Sequence, residues 1–222
     1  MSRTDYHDQL SWLTTEVVLL AELVVDRYDD ALRAAATGDR RLAEQVVDGD
    51  SEINERYLEL EAACIDLIAL EQPVAGDLRR ITASFKIITD LERIADLATN
   101  LAEHTRAGRE GIHPAVDIAS LGGDAREMVE DAIAAYESTD SDACRAVAAR
   151  DDDLDAACDR TTQRIIRSLL ADDAEAGDRE STRTAASHGL LTVRDIERVG
   201  DHAVNIAARS LYMIDGDDAL LY

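Results

Sequence analysis

Glu92 and Asp96 stand four residues apart, and so do Glu197 and Asp201. On a helix that spacing sets two carboxylates on one face, on successive turns. Each pair belongs to a longer frame that occurs twice. DLERIADLATNLA (residues 90–102) and DIERVGDHAVNIA (residues 195–207) agree at seven of thirteen positions, in the pattern Asp-x-Glu-Arg-x-x-Asp-x-x-x-Asn. Such residues can hold a cation, form salt bridges with Arg93 and Arg198, or simply face water. Their phase argues for more than a wet surface. Glu197 lies seven residues after Leu190 and seven before Val204, and Glu92 lies seven after Phe85 and four after Ile88. Both acids therefore interrupt a stripe expected to be buried. A partly buried carboxylate needs a compensating charge, a donor or a metal, or it is driven to protonate.

A second acidic stretch is also written twice. VVDGDSEIN (residues 46–54) resembles VAARDDDLD (residues 147–155), aligning Asp50 with Asp151 and Asn54 with Asp155. In an antiparallel helical hairpin, residues equidistant from the turn lie side by side. Asp50/Asn54 and Glu92/Asp96 are centred on Pro73, while Asp151/Asp155 and Glu197/Asp201 are centred on residue 176, inside the polar stretch ADDAEAGD. Each hairpin is thus expected to gather four oxygen-bearing side chains, a donor set suited to hard cations such as iron(III), manganese, magnesium or calcium. Asn100 and Asn205 order that network or bridge helices, and His202 reads as a local contact beside Asp201. A ferritin-type oxidase needs Glu-x-x-His on core helices, and the one match, Glu110 to His113, falls in a Gly/Pro turn. Ser187 and His188 are adjacent on a helix and form no catalytic pair, and no phosphate-binding or dinucleotide glycine pattern is present.

The elements that must position these residues are helices. Leu10, Leu13, Val17, Leu20 and Val24 recur at steps of three and four, and the first helix is expected to end near Gly38. A second helix is expected from an Asp39 N-cap to Glu71, broken by Pro73, and a third from Val74 to Ala107 with two apolar stripes. Gly108, Gly111 and Pro114 punctuate the chain, and the plan restarts with helices over about 115–138, 141–170 and 180–214. Gly122-Gly123 threatens to kink or delay the fourth. The chain reads as all-α, a tandem repeat of two three-helix bundles, residues 1–109 and 110–222.

Composition narrows the role. The net charge of −24 repels nucleic-acid phosphates and anionic lipid, so a nucleic-acid partner is excluded. Lys86 is the one lysine among 23 basic residues, and an acidic, lysine-poor surface of this kind is that of proteins working in high salt. Cys64, Cys144 and Cys158 form no C-x-x-C and read as buried thiols of a reducing interior. No signal pattern or membrane-length apolar run is present, which points to the cytoplasm. A single Phe and a single Trp imply an aliphatic core.

With the tandem bundles, QPVAGDLRRI (residues 72–81), DLERIAD and DIERVGDHAVNIA in view, the chain resembles the PhoU family of phosphate-uptake regulators over nearly its whole length. The resemblance implies two pseudo-symmetric three-helix bundles whose acidic motifs hold metal clusters at the surface. Carried onto this sequence, the ligands are Asp50, Glu92 and Asp96 in the first repeat and Asp151, Asp155, Glu197 and Asp201 in the second. Asn54 stands where the second repeat has Asp155, implying weaker binding in the first. Ala95 stands where the family pattern has glycine, as at Gly200. The resemblance further implies a cytoplasmic homodimer without turnover chemistry, holding iron, manganese, magnesium, calcium or zinc. Such a protein restrains a Pst-type phosphate ABC transporter at its ATPase, in many bacteria also a sensor histidine kinase, and meets the membrane only through the transporter. The rival readings are a metal-dependent enzyme or metal store on the same bundle, and a structural adaptor with empty acidic sites.

Overall fold

A computed structural model of the chain describes residues 3–107, 113–171 and 176–221. The described elements are all helices: α1 (Arg3–Thr37), α2 (Arg40–Asp48), α3 (Asp50–Glu71), α4 (Ala75–Ala107), α5 (Ile118–Ser138), α6 (Ser141–Ala171) and α7 (Ala176–Asp215). Helix α1 stops where Gly38 takes a φ of +68°, a conformation open to a residue without Cβ. Asp39 then caps α2 as expected, its side chain accepting from the backbone N–H groups of Arg41 and Leu42. The expected single second helix is instead two, broken at Gly49. There the Arg27 guanidinium fills the space a Cβ would occupy, donates to the Gln45 carbonyl and pairs with Glu52 at 3.3 Å. Gln72, in the left-handed region, ends α3 one residue before Pro73.

Helices α1, α2–α3 and α4 form one three-helix bundle, with α2 and α3 together as its second helix, and α5, α6 and α7 form another. The bundles join through α4 against α7 and α1 against α5, leaving α3 and α6 outermost. The expected boundary at residues 109 and 110 lies outside the described residues, as do Gly108 and Gly111. Gly122-Gly123 does not kink α5, which runs unbroken from Ile118. Gly122 is buried beneath Leu32 of α1, whose Cδ2 would lie 2.3 Å from an added Cβ, so this glycine allows the bundles to approach.

The core is aliphatic, with Ile87, Leu91, Ile94 and Leu101 of α4 and Val193, Ile196, Val199 and Ile206 of α7 buried. Burial of each such side chain contributes about 1.5–3 kcal/mol. Tyr28 and Tyr136 are the aromatic residues among the largest fully buried side chains. The Tyr136 hydroxyl lies 2.7 Å from Ser84 Oγ, a hydrogen bond between bundles. All three cysteines are buried and free.

Candidate functional site

In the second bundle α6 contributes Asp151 and Asp155 and α7 contributes Glu197 and Asp201, each pair on one helical face. Gly200 holds the helices close, since a Cβ there would come 2.5 Å from Leu154 Cδ2 and 3.7 Å from Asp151 Oδ1. Burial, followed by the charges of Asp155 and Asp201, pushes the Asp151 carboxyl up to about 6. Asp155 is raised by burial and then by Asp201. Glu197 is raised by burial and then by Asp155 and Asp201. Every charged neighbour acting on these three groups is itself acidic. Asp151 Oδ1 and Asp155 Oδ1 are buried with no hydrogen-bond partner. Such atoms cost free energy unless something positive or donating reaches them.

The first bundle brings Asp50, Asn54, Glu92 and Asp96 together across the hairpin of α3 and α4 and compensates them with its own donors and with basic groups of both bundles. Asn54 Nδ2 donates to Asp50 Oδ2 at 2.9 Å, and Thr99 Oγ1, a residue the sequence did not single out, donates to Asp50 Oδ1 at 3.2 Å. Glu92 is raised by burial and by Asp96, then eased by Arg93 and by His202 of the other bundle. Asp96 is raised by burial and by Asp50 and eased by Arg198, again from the other bundle. Arg93 and Arg198 act through space, since neither forms an ion pair within 4.0 Å among the described residues.

The most deeply buried acids are not the four-apart pairs. Glu92 and Glu197 are half-buried and Asp96 and Asp201 exposed, whereas Asp90 is 6% exposed and Asp195 3%. His202 Nδ1 donates to Asp90 Oδ1 at 2.9 Å, and Asn205 Nδ2 reaches the same oxygen at 3.5 Å. His202 is therefore a bond between bundles, not the local contact expected beside Asp201. A signal for it existed in the sequence, because Asp90 is in phase with Leu97 and Asp195 with His202, seven residues on. The pairing of Asp90 with His202, and of His104 with His188 at 6.0 Å between rings, makes α4 and α7 antiparallel. That register places Asp195 opposite Leu97, the counterpart of His202. Asp195 accordingly has no hydrogen-bonded histidine: Arg194 Nη2 donates to Oδ1 at 3.1 Å, and Oδ2 has no partner.

Among the described residues no three His, Cys, Asp or Glu side chains are gathered closely enough to hold a metal ion. The chemistry of the donor set still fits a hard cation, above all in the second bundle, with its orphaned Asp151 and Asp155 oxygens and no basic neighbour acting. The first bundle fits less well, since donors and arginines answer part of its charge. Glu110 of the Glu-x-x-His match lies outside the described residues. His113 is committed to structure, its Nδ1 accepting from the Ala115 N–H at 3.2 Å and its Nε2 lying 2.8 Å from Ser168 Oγ. No helix among the described residues is long and apolar enough to cross a membrane.

Comparison with known proteins gives one family. The PhoU domain model matches residues 17–105 and again 118–210. A phosphate-specific transport system accessory protein PhoU homolog of Pseudomonas putida is 30% identical over 216 residues, spanning 96% of this chain and 82% of that protein. The Clostridium acetobutylicum homolog of the same name is 29% identical and spans 97% of both. The crystal structure of PhoU from Pseudomonas aeruginosa superposes with a TM-score of 0.88 at 28% identity, covering 96% of this chain and 100% of that one. The phosphate transport system regulatory protein PhoU from Streptococcus pneumoniae, at 23% identity and a TM-score of 0.85, shares the fold.

Proposed function

Because this chain belongs to the PhoU domain family, we propose that it is an accessory protein of phosphate-specific transport that restrains phosphate uptake. Its target is the ATPase of a phosphate ABC transporter, and a sensor histidine kinase where the cell has one. The observation that carries this reading is likeness along the whole length, 97% of this chain against 97% of a phosphate-transport accessory protein. The role requires no turnover by this chain.

The acidic clusters serve this role as cation sites. Asp151, Asp155, Glu197 and Asp201 would hold the metal in the second bundle, and Asp50, Asn54, Glu92 and Asp96 more weakly in the first. A bound cation supplies the positive charge that the second cluster lacks. The chain's own residues do the rest: Gly200 sets the α6–α7 spacing, and Asn54 and Thr99 hold Asp50 in place. The identity of the metal falls among iron, manganese, magnesium, calcium and zinc, and carboxylate oxygens favour the harder of these.

Deleting the gene should derepress phosphate import and cause phosphate to overaccumulate under phosphate-replete growth. Unchanged uptake would count against the regulator. Elemental analysis of purified Glu92→Ala/Asp96→Ala and Glu197→Ala/Asp201→Ala proteins should show the larger metal loss in the second, and full metal content in both would remove the ligand assignment. Returning these variants to the deletion strain then separates a signalling metal from a stabilising one.

A further inference from the structure

Eleven large apolar side chains are exposed among the described residues, and eight of them belong to the first bundle. They include Trp12 and Leu19 on α1, at 47% and 48% exposure, and Ile68 and Leu70 on α3, the latter 74% exposed. The second bundle repeats the same fold and exposes Ile166, Leu170 and Tyr212, with none on α5. Exposure is thus not a requirement of the architecture. Two cavities open one after the other along the seam between α1 and α3. One, of about 430 Å³, lies between Trp12 and Leu67 with Leu70, and the next, of about 230 Å³, between Leu19, Leu23 and Leu60. From Gln9 to Leu23 the seam is about 21 Å long at 1.5 Å per residue, the length of about four helical turns.

The rim of this groove is acidic. Asp66 and Glu71 edge the first cavity, and Glu16 and Glu52 the second. Arg56 is 3.5 Å from Glu16 and Arg27 is 3.3 Å from Glu52, which leaves Asp66 and Glu71 as the rim carboxylates in no ion pair among the described residues. A second copy of a chain with net charge −24 would set acid against acid here. We infer that the α1–α3 groove docks an amphipathic helix of a protein partner, with leucine-like anchors seated in the two cavities and lysines or arginines facing the carboxylate rim. Helices recognised in grooves use anchors at such three- and four-residue spacings, and large exposed apolar patches with polar rims mark interaction surfaces. The inference stands apart from the metal sites and from the regulatory reading.

Trp12 is the sole tryptophan, so its fluorescence reports directly on the groove. The probe is a sixteen-residue helical peptide with leucines on one face and lysine and arginine beside them. Its companion keeps the leucines and carries glutamates instead. On the full chain the basic peptide should shift Trp12 emission to the blue, bind more weakly as salt rises, and lose about tenfold or more in affinity with Leu70→Asp or Leu19→Asp. Both sites are exposed, so folding is preserved and circular dichroism verifies it. The Glu197→Ala/Asp201→Ala protein should bind the peptide unchanged. Equal binding of the two peptides, a silent Trp12, or loss of binding in the Glu197→Ala/Asp201→Ala protein would overturn the inference. So would a concentration-dependent Trp12 shift without peptide that Leu70→Asp abolishes, which would make a second copy the occupant.

Discussion

At the scale of residues, the two acidic clusters differ in who answers their charge. Asp151, held up to about 6 by burial and acidic neighbours, binds its proton more tightly folded than unfolded, where an aspartate titrates near its usual 3.8. Its effect on stability is therefore absent below about pH 4 and becomes a cost as pH rises through about 6. Metal-free protein should lose stability over that window, and Asp151→Asn should abolish that part of the slope and raise Tm at pH 7. Discounted for solvent screening, the gain is on the order of 1 kcal/mol, or about 2–4 °C. Added metal should flatten the same slope in the parent protein, as thermal melts from pH 4 to 7 would reveal. The Asp90–His202 pair makes a different demand. His202→Leu, which copies Leu97 of the other repeat, leaves the buried Asp90 carboxylate with only the 3.5 Å contact from Asn205 and should cost about 1–3 kcal/mol in urea unfolding. Asp90→Leu combined with His202→Leu should recover part of that loss, and a double-mutant cycle measures how much.

At the scale of elements, glycines separate packing from propensity. Gly122 and Gly123 are neighbours in α5, yet an added Cβ meets Leu32 at 2.3 Å at the first and nothing within 4 Å at the second. Gly122→Ala should destabilise by about 1–3 kcal/mol through overpacking between bundles. Gly123→Ala should stabilise by up to about 1 kcal/mol, because alanine is the better helix former. Equal effects in denaturant titrations would show that the α1–α5 approach does not depend on Gly122. The same pair marks the reach of the sequence. Periodicity and caps place the helices well, since Asp39, Gly38 and Pro73 act on their own local backbone. They could not foretell that Gly122 serves a tertiary contact, or that Gly49 breaks a helix around a side chain arriving from Arg27. The facing of Asp50 with Glu92 and Asp96, and of Asp151 with Glu197 and Asp201, was legible because hairpin geometry follows from turn position. The Asp90–His202 bond was signalled by phase alone, and the pairing itself depends on how one bundle docks on the other.

At the scale of the whole molecule, 47 acidic residues against 23 basic ones create a self-repulsion that no single contact answers. Raising KCl from about 0.1 M to about 1 M shortens the screening length from about 10 Å to about 3 Å. Tm should climb over that range, and most steeply for metal-free protein, whose second cluster has no counter-charge. A Tm indifferent to salt would mean that the acids are spaced widely enough for water alone to carry them.

The Asp90–His202 bond across the interface also bears on which halves could partner which. A symmetric pair of second bundles would meet Asp195 with His202 twice over, each side satisfying the other, as an isologous contact does. A pair of first bundles would instead set Asp90 against Leu97 twice, with Asn100, the counterpart of Asn205, in place of a histidine as donor. Split at the junction, the two halves would thus behave unequally. The second would retain the self-complementarity of a twofold dimer, and the first would find a histidine for Asp90 only in the other.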